Sequence, residues 1–423
     1  MKLNEMSATE LAPRLSRREL TALQLVDACL AEIQLRDRQI HAWATLDVEF
    51  ARRQARELDA GAVRGPLHGL PIGVKDILDT AELPSEYGSP IYAGHRPAWD
   101  AACVASARTA GAVILGKTVT TEFATMHPAA TVNPHDPRRT PGGSSSGSAA
   151  AVSAHMVPFA YGTQTVGSII RPAAYCGVVG YKPSFGTLSR SGMKMACESL
   201  DTVGVIARTV EDAALLIAAS GMRSIDVPSV DKPRLGLCRT PNWSHMTRDG
   251  VHAFEVAVRR LAQAGAVVVE QDLPQDFAGL DAADLRILDY EIARSFAHES
   301  ARHRERISAV LLARIDSGAQ MAQADYAQAV SYASECRRNL AAHMQGLDAI
   351  VTPSATGEAP LGLESTGNTA MNRLWTLLHG PCVTVPAGGG PTGMPLGVQF
   401  VGLPGADERT LGVARWAEAL LKP

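Results

Sequence analysis

Twice in this chain a helix-forming stretch meets a glycine and then a short apolar run. Ala105 to Ala110 leads through Gly111 into Ala112-Val113-Ile114-Leu115-Gly116. A helical pattern from about Gly250 to Ala264 leads through Gly265 into Ala266 to Glu270. This succession is the alternation of an α/β protein with a largely parallel sheet, in which strands are buried on both faces and read as short continuous apolar runs. Leu70-Pro71-Ile72-Gly73-Val74-Lys75-Asp76 reads as another such strand, ended by charge, and Leu235-Gly236-Leu237 as a further one.

Other elements follow from local signals. Ser7-Ala8-Thr9-Glu10 fits a capping box before a helix. Leu20, Leu23, Val26, Leu30 and Ile33 recur at helical spacing, and a helix containing Ala55 and Leu58 stops at Gly61. Residues 280–346 carry almost no Gly or Pro and read as mainly helical. Strands are expected at Ala349 to Val351, Cys382 to Val385 and Leu396 to Val401, with a final helix from about Asp407. No low-complexity linker divides the 423 residues, so one large α/β domain spanning 1–423 is expected.

Composition narrows the function. Hydrophobic residues are 46% and charged residues 20%, the balance of a globular chain. A net charge of -3 and an aromatic fraction of 5% disfavour nucleic acid as a partner. No apolar run reaches membrane-spanning length, and the N-terminal MKLNEMSATELAPRL lacks an apolar signal core. The seven scattered cysteines, none in CxxC, read as reduced thiols, and a cytoplasmic location is expected. His68, His127, His135 and His379 lie near the motif segments without metal-ligand spacing, so no metal is expected.

The chemistry is concentrated in three segments. The first is GVKD around Lys75. The second, PGGSSSGSAAAV from Pro141, has the texture of a flexible linker, but the strong helix former Ala149-Ala150-Ala151-Val152 places its serines at a helix start, where free N–H groups favour an anion. The third is GTQTVGSIIRPAAYCGVVGYKPS from Gly162. A serine reached through its Gly-containing turn is either part of an ordinary turn or an exposed nucleophile with N–H groups aimed at one point, as acyl transfer requires.

Taken in order, GPLHGLPIGVKD, LGKTVTTEFA, NPHDPRRTPGGSSSGSAAAV and the Ser168 segment resemble the amidase signature family of serine hydrolases, densest over residues 65–210. LWTLLHGPCVTVP and MPLGVQFVG near the C-terminus are similar to the family as well. The resemblance implies a mixed central sheet with helices on both faces, and amide hydrolysis without metal or organic cofactor. It implies Ser168 as nucleophile, Ser144 as bridging serine after a cis bond from Gly143, and Lys75 as general base. Ser145 would hydrogen-bond the lysine and steady the substrate site. The N–H groups of Thr165, Val166, Gly167 and Ser168 would form the oxyanion hole.

Two positions carry the specificity question. Where the family commonly has glycine or a small residue, this chain has Val166, which leaves open an ordinary backbone or a narrowed hole. Ser168-Ile169-Ile170-Arg171-Pro172 resembles the branch that includes bacterial malonamidase, which implies that Arg171 binds a substrate carboxylate. The alternative is a structural Arg171 paired with Glu122 or Asp201. The expected substrate is a small amide, with a homodimer as the assembly common among such relatives. The competing functions are the A subunit of a tRNA-dependent amidotransferase and a catalytically impaired relative.

Overall fold

The computed structural model describes residues 2–422. Eleven strands form one sheet: β1 Trp43–Leu46, β2 Pro71–Lys75, β3 Val113–Thr118, β4 Phe159–Gln164, β5 Val179–Lys182, β6 Thr202–Ala207, β7 Arg234–Leu237, β8 Val267–Glu270, β9 Ala349–Pro353, β10 Cys382–Gly389 and β11 Pro395–Val401. Their order is β1-β3-β2-β4-β6-β5-β10-β11-β9-β7-β8.

The sheet is mixed, which corrects the expectation of largely parallel strands drawn from the helix–Gly–strand succession. β2 pairs in parallel with β3 and β4, and β7 with β8 and β9. Between these two parallel wings runs an antiparallel centre through β4, β6, β5, β10, β11 and β9. The two helix–Gly–strand units lie in the wings, so they carry no information about the centre. β2, β3, β4, β5 and β6 are buried along their whole length, as strands covered on both faces must be.

The GGSSSGS segment is not a linker. Ser146–Ser153 is a helix of small residues buried along all but its last residue, its inner Ser148 hydroxyl donating to the Tyr161 carbonyl at 2.8 Å. A Cβ on Gly147 would stand 2.2 Å from the Ala42 carbonyl oxygen and 2.3 Å from the Val119 nitrogen, so the helix start packs directly against backbone. Residues 280–346 are helical as expected, with helices at Leu280–Ser295, Ala297–Arg302, Ala309–Gln320 and Gln323–His343. No helix among the described residues is long and apolar enough to cross a membrane.

Candidate active site

Lys75 is the last residue of β2 and is fully buried. Its neighbour β4 carries Thr163, and the loop before the helix Ser146–Ser153 carries Ser144. Lys75 Nζ lies 2.8 Å from Ser144 Oγ, 2.7 Å from Thr163 Oγ1 and 3.3 Å from the Thr163 carbonyl oxygen. The Gly143–Ser144 bond is cis. Burial lowers the Lys75 pKa well below that of a free lysine, opposed only by the more distant charge of Asp201.

The carboxylate beside Lys75 in sequence faces elsewhere. Asp76 Oδ1 pairs with Lys117 Nζ at 2.9 Å, and Asp76 Oδ2 accepts from the Glu86 N–H at 3.1 Å. Asp76 thus braces the loop, and Lys75 is left among hydroxyls.

Ser145 is placed differently from expectation. Its hydroxyl donates to the Thr163 carbonyl and accepts from the Thr163 N–H, both at 3.3 Å, and does not reach Lys75. The reason is its position at the N-cap of the buried helix, directly against β4, where it lies outside the cavity lining. Thr163 makes the contact to Lys75 that Ser145 was expected to make. Ser145 instead ties the segments together through its N–H, which donates to the Ser168 carbonyl at 3.3 Å.

The turn from Thr165 to Ser168 follows β4. Among the described residues, none of its four N–H groups donates to another protein group. The turn is held from behind. Gln164 Oε1 accepts from the N–H groups of Ile169 and Ile170 at 2.9 and 3.1 Å, and Gln164 Nε2 donates to Thr376 Oγ1, which donates to the Val166 carbonyl at 2.7 Å. The Thr165 hydroxyl donates to Asp201, whose other oxygen accepts from the Ala196 and Cys197 N–H groups. Gly167 leaves room for Asn372: a Cβ there would meet Asn372 Oδ1 at 2.6 Å. Val166 keeps an ordinary backbone, since it is not among the residues of positive φ. Its side chain lines the cavity.

That cavity, of about 370 Å³, is also lined by Thr165, Ser168 and Arg171. Arg171 is buried, and its Nη2 donates to the Gly143 carbonyl at 2.7 Å and to Thr366 Oγ1 at 2.9 Å. Nε and Nη1 have no partner among the described residues. The alternative pairing with Glu122 or Asp201 does not occur: Glu122 accepts from the N–H and hydroxyl of Ser308, and Asp201 serves the turn. Burial pulls the Arg171 pKa down to about 10, so the group is still a cation at neutral pH. The other two arginines of the lining are paired, Arg314 with Asp289 at 2.6 Å and Arg373 with Asp284 at 3.1 Å.

Several of these residues lie inside segments singled out in the sequence without a role being assigned to them there. Thr163, Gln164 and Thr376 are ordinary polar residues until the fold sets them behind the turn. Leu288, Ile292, Val310 and Leu311, from the helices Leu280–Ser295 and Ala309–Gln320, form an apolar wall of the cavity.

The amidase family model matches residues 24–411. The chain belongs to the amidase family. It is therefore an enzyme, an amidase-family hydrolase. Among curated relatives it is 33% identical to the A subunit of the glutamyl-tRNA(Gln) amidotransferase of Salinispora tropica, over 100% of this chain and 98% of the relative. It is 32% identical to the 2-amino-5-chloromuconic acid deaminase of Comamonas testosteroni, over 100% and 97% of the two chains. Among solved structures, an amidase crystal structure superposes with a TM-score of 0.90 at 31% identity, over 98% of this chain and 100% of the other. The peptide amidase PAM, in complex with the competitive inhibitor chymostatin, superposes with a TM-score of 0.83 at 31% identity, over 98% and 97%.

Proposed function

We propose that this amidase cleaves the C–N bond of a carboxylate-bearing amide to the acid and ammonia, through an acyl-enzyme on Ser168. The observation that carries the reading is a fully buried lysine held by hydroxyls rather than by a carboxylate. An ammonium cannot accept a proton. Burial without a close counter-charge favours the neutral amine, which can. A neutral Lys75 has two N–H groups for the oxygens of Thr163 and one lone pair for the Ser144 hydroxyl. On this reading Ser168 Oγ attacks the amide carbonyl while its proton passes to Ser144, whose own proton passes to Lys75. The relay reverses to protonate the departing nitrogen. Ammonia leaves, and water, deprotonated by the same relay, releases the acid. The free N–H groups from Thr165 to Ser168 stabilise the oxyanion, and stabilisation of this kind supplies most of the rate enhancement in many such reactions.

Arg171 supports the acid in the substrate. A buried guanidinium with no carboxylate partner is costly, and a ligand carboxylate would offset that cost. A relative named as a deaminase of an acid agrees with this reading. The test is ammonia release from malonamate and succinamate against acetamide and propanamide. Arg171→Ala is expected to lower kcat/KM on the acids by about 10²-fold and to leave the neutral amides within a few-fold. Arg171→Lys should recover part of the loss, because it supplies charge without the fork. Equal losses on both classes, with a lowered Tm, would make Arg171 structural.

A second reading, the A subunit of an amidotransferase, is favoured by the full-length identity to the Salinispora tropica protein. On that reading the chain works with other subunits. Purification from its native host distinguishes the two: a stoichiometric partner chain supports the amidotransferase, whereas an active preparation of this chain alone supports the stand-alone hydrolase.

A further inference from the structure

The cavity beside Ser168 is larger and more apolar than a short acid amide needs. Its volume of about 370 Å³ lies in the range that holds drug-sized ligands, about 300–1,000 Å³. Leu288 and Ile292 sit one turn apart on the helix Leu280–Ser295, Val310 and Leu311 lie at the start of the helix Ala309–Gln320, and Val166 and Met126 join them in the lining. Val310 and Met126 stay 37% and 43% exposed, so this apolar surface reaches the cavity mouth rather than closing into the core. The same cavity holds Arg171, the one arginine of its lining without a carboxylate among the described residues.

We infer that the substrate is amphiphilic: an amide whose acyl part carries both a carboxylate and a bulky apolar group, aryl or branched alkyl. The apolar group belongs to the acyl side because the departing group on this reading is ammonia, which carries no substituent, while Val166 and Ser168 line the same cavity. The helices of residues 280–346 then act as the specificity element, and Val310 and Leu311 are specificity-determining residues. This inference rests on the reading of Ser168 as the nucleophile.

Four amides separate the two recognition elements. They are acetamide, malonamate (acid only), 3-phenylpropanamide (aryl only) and 2-benzylmalonamate (both). The benzyl group is expected to raise kcat/KM at least tenfold in each pair, neutral and acidic, in line with the binding value of a buried aromatic group. Val310→Asn, at a half-exposed site that tolerates a polar residue, should cut that benzyl advantage severalfold. Leu311→Ala should do the same, with Tm followed alongside. Arg171→Ala should lower the carboxylate advantage and leave the benzyl advantage in place. A benzyl group that gives no gain, or a benzyl advantage that both Val310→Asn and Leu311→Ala leave intact, overturns the inference while leaving the carboxylate reading untouched. A benzyl gain without a carboxylate gain sustains the apolar acyl group and removes the acid from the substrate.

Discussion

Lys75 and Lys117 lie on adjacent strands, both buried, and differ in company. Lys117 has Asp76 at 2.9 Å and the Ser85 hydroxyl at 2.5 Å, whereas Lys75 has only oxygens of Ser144 and Thr163 within hydrogen-bond distance. The depressed Lys75 pKa has a consequence for stability. The unfolded lysine titrates near 10.4, so between the folded value and about pH 10.4 the unfolded chain binds more protons. Stability from this group is complete above about pH 10.4 and declines as pH falls toward the folded pKa. Lys75→Met lacks this dependence. Urea unfolding should therefore show the variant's stability relative to wild type to be more favourable at about pH 7 than at about pH 10; a difference independent of pH would mean that Lys75 keeps an ordinary pKa. Thr163 offers a separate test. Thr163→Val keeps the shape and removes a hydroxyl that stabilises the ammonium. The acid limb of the kcat/KM profile should move to lower pH, and kcat should fall about tenfold or more as the amine loses its orientation. An unmoved profile would place Thr163 outside the relay.

The element that shapes the cavity is the helix pair Leu280–Ser295 and Ala309–Gln320. Their approach is set by Gly318, where a Cβ would stand 1.8 Å from the Asp289 carbonyl oxygen. Gly318→Ala forces the helices apart, so a lowered Tm is expected together with a higher KM for apolar amides. Unchanged values of both would show that the wall repacks without consequence. These helices were legible in the sequence because residues 280–346 carry almost no Gly or Pro, but their use was not, since nothing local says which face meets Ser168. The strands divide in a similar way. β2, β3 and β9 are apolar runs and were readable, whereas β4, β5 and β6 lie in and beside the Gly-rich stretch and were not. Their glycines serve close packing: a Cβ on Gly204 would meet the Tyr181 carbonyl oxygen at 2.3 Å, and one on Gly180 the Ala173 Cβ at 2.7 Å. Such glycines weaken the strand signal where neighbouring elements press closest.

Across the whole molecule, the mixed sheet brings together residues that the chain keeps far apart. β2 supplies Lys75 and β4 supplies Thr163, and β4 then turns into the segment that carries Ser168. The helix Ser146–Ser153 starts beside both, and the loop leading into it delivers Ser144. The candidate residues were recognisable because several family motifs occur in order; the glycine and serine texture alone left a linker and a plain turn open. Ser145 marks where the motifs stop being informative, because a one-residue step along the loop turns a hydroxyl from Lys75 to the backbone of β4. If this geometry does what we propose, Ser168 is a nucleophile activated by Lys75. A fluorophosphonate probe followed by peptide mass mapping reads that activation at the reacting atom. One adduct on Ser168 is expected in the wild-type protein, none in Ser168→Ala, and labelling slowed by orders of magnitude in Lys75→Met. An adduct on another residue, or a Lys75→Met protein labelled at the wild-type rate, would overturn the assignment.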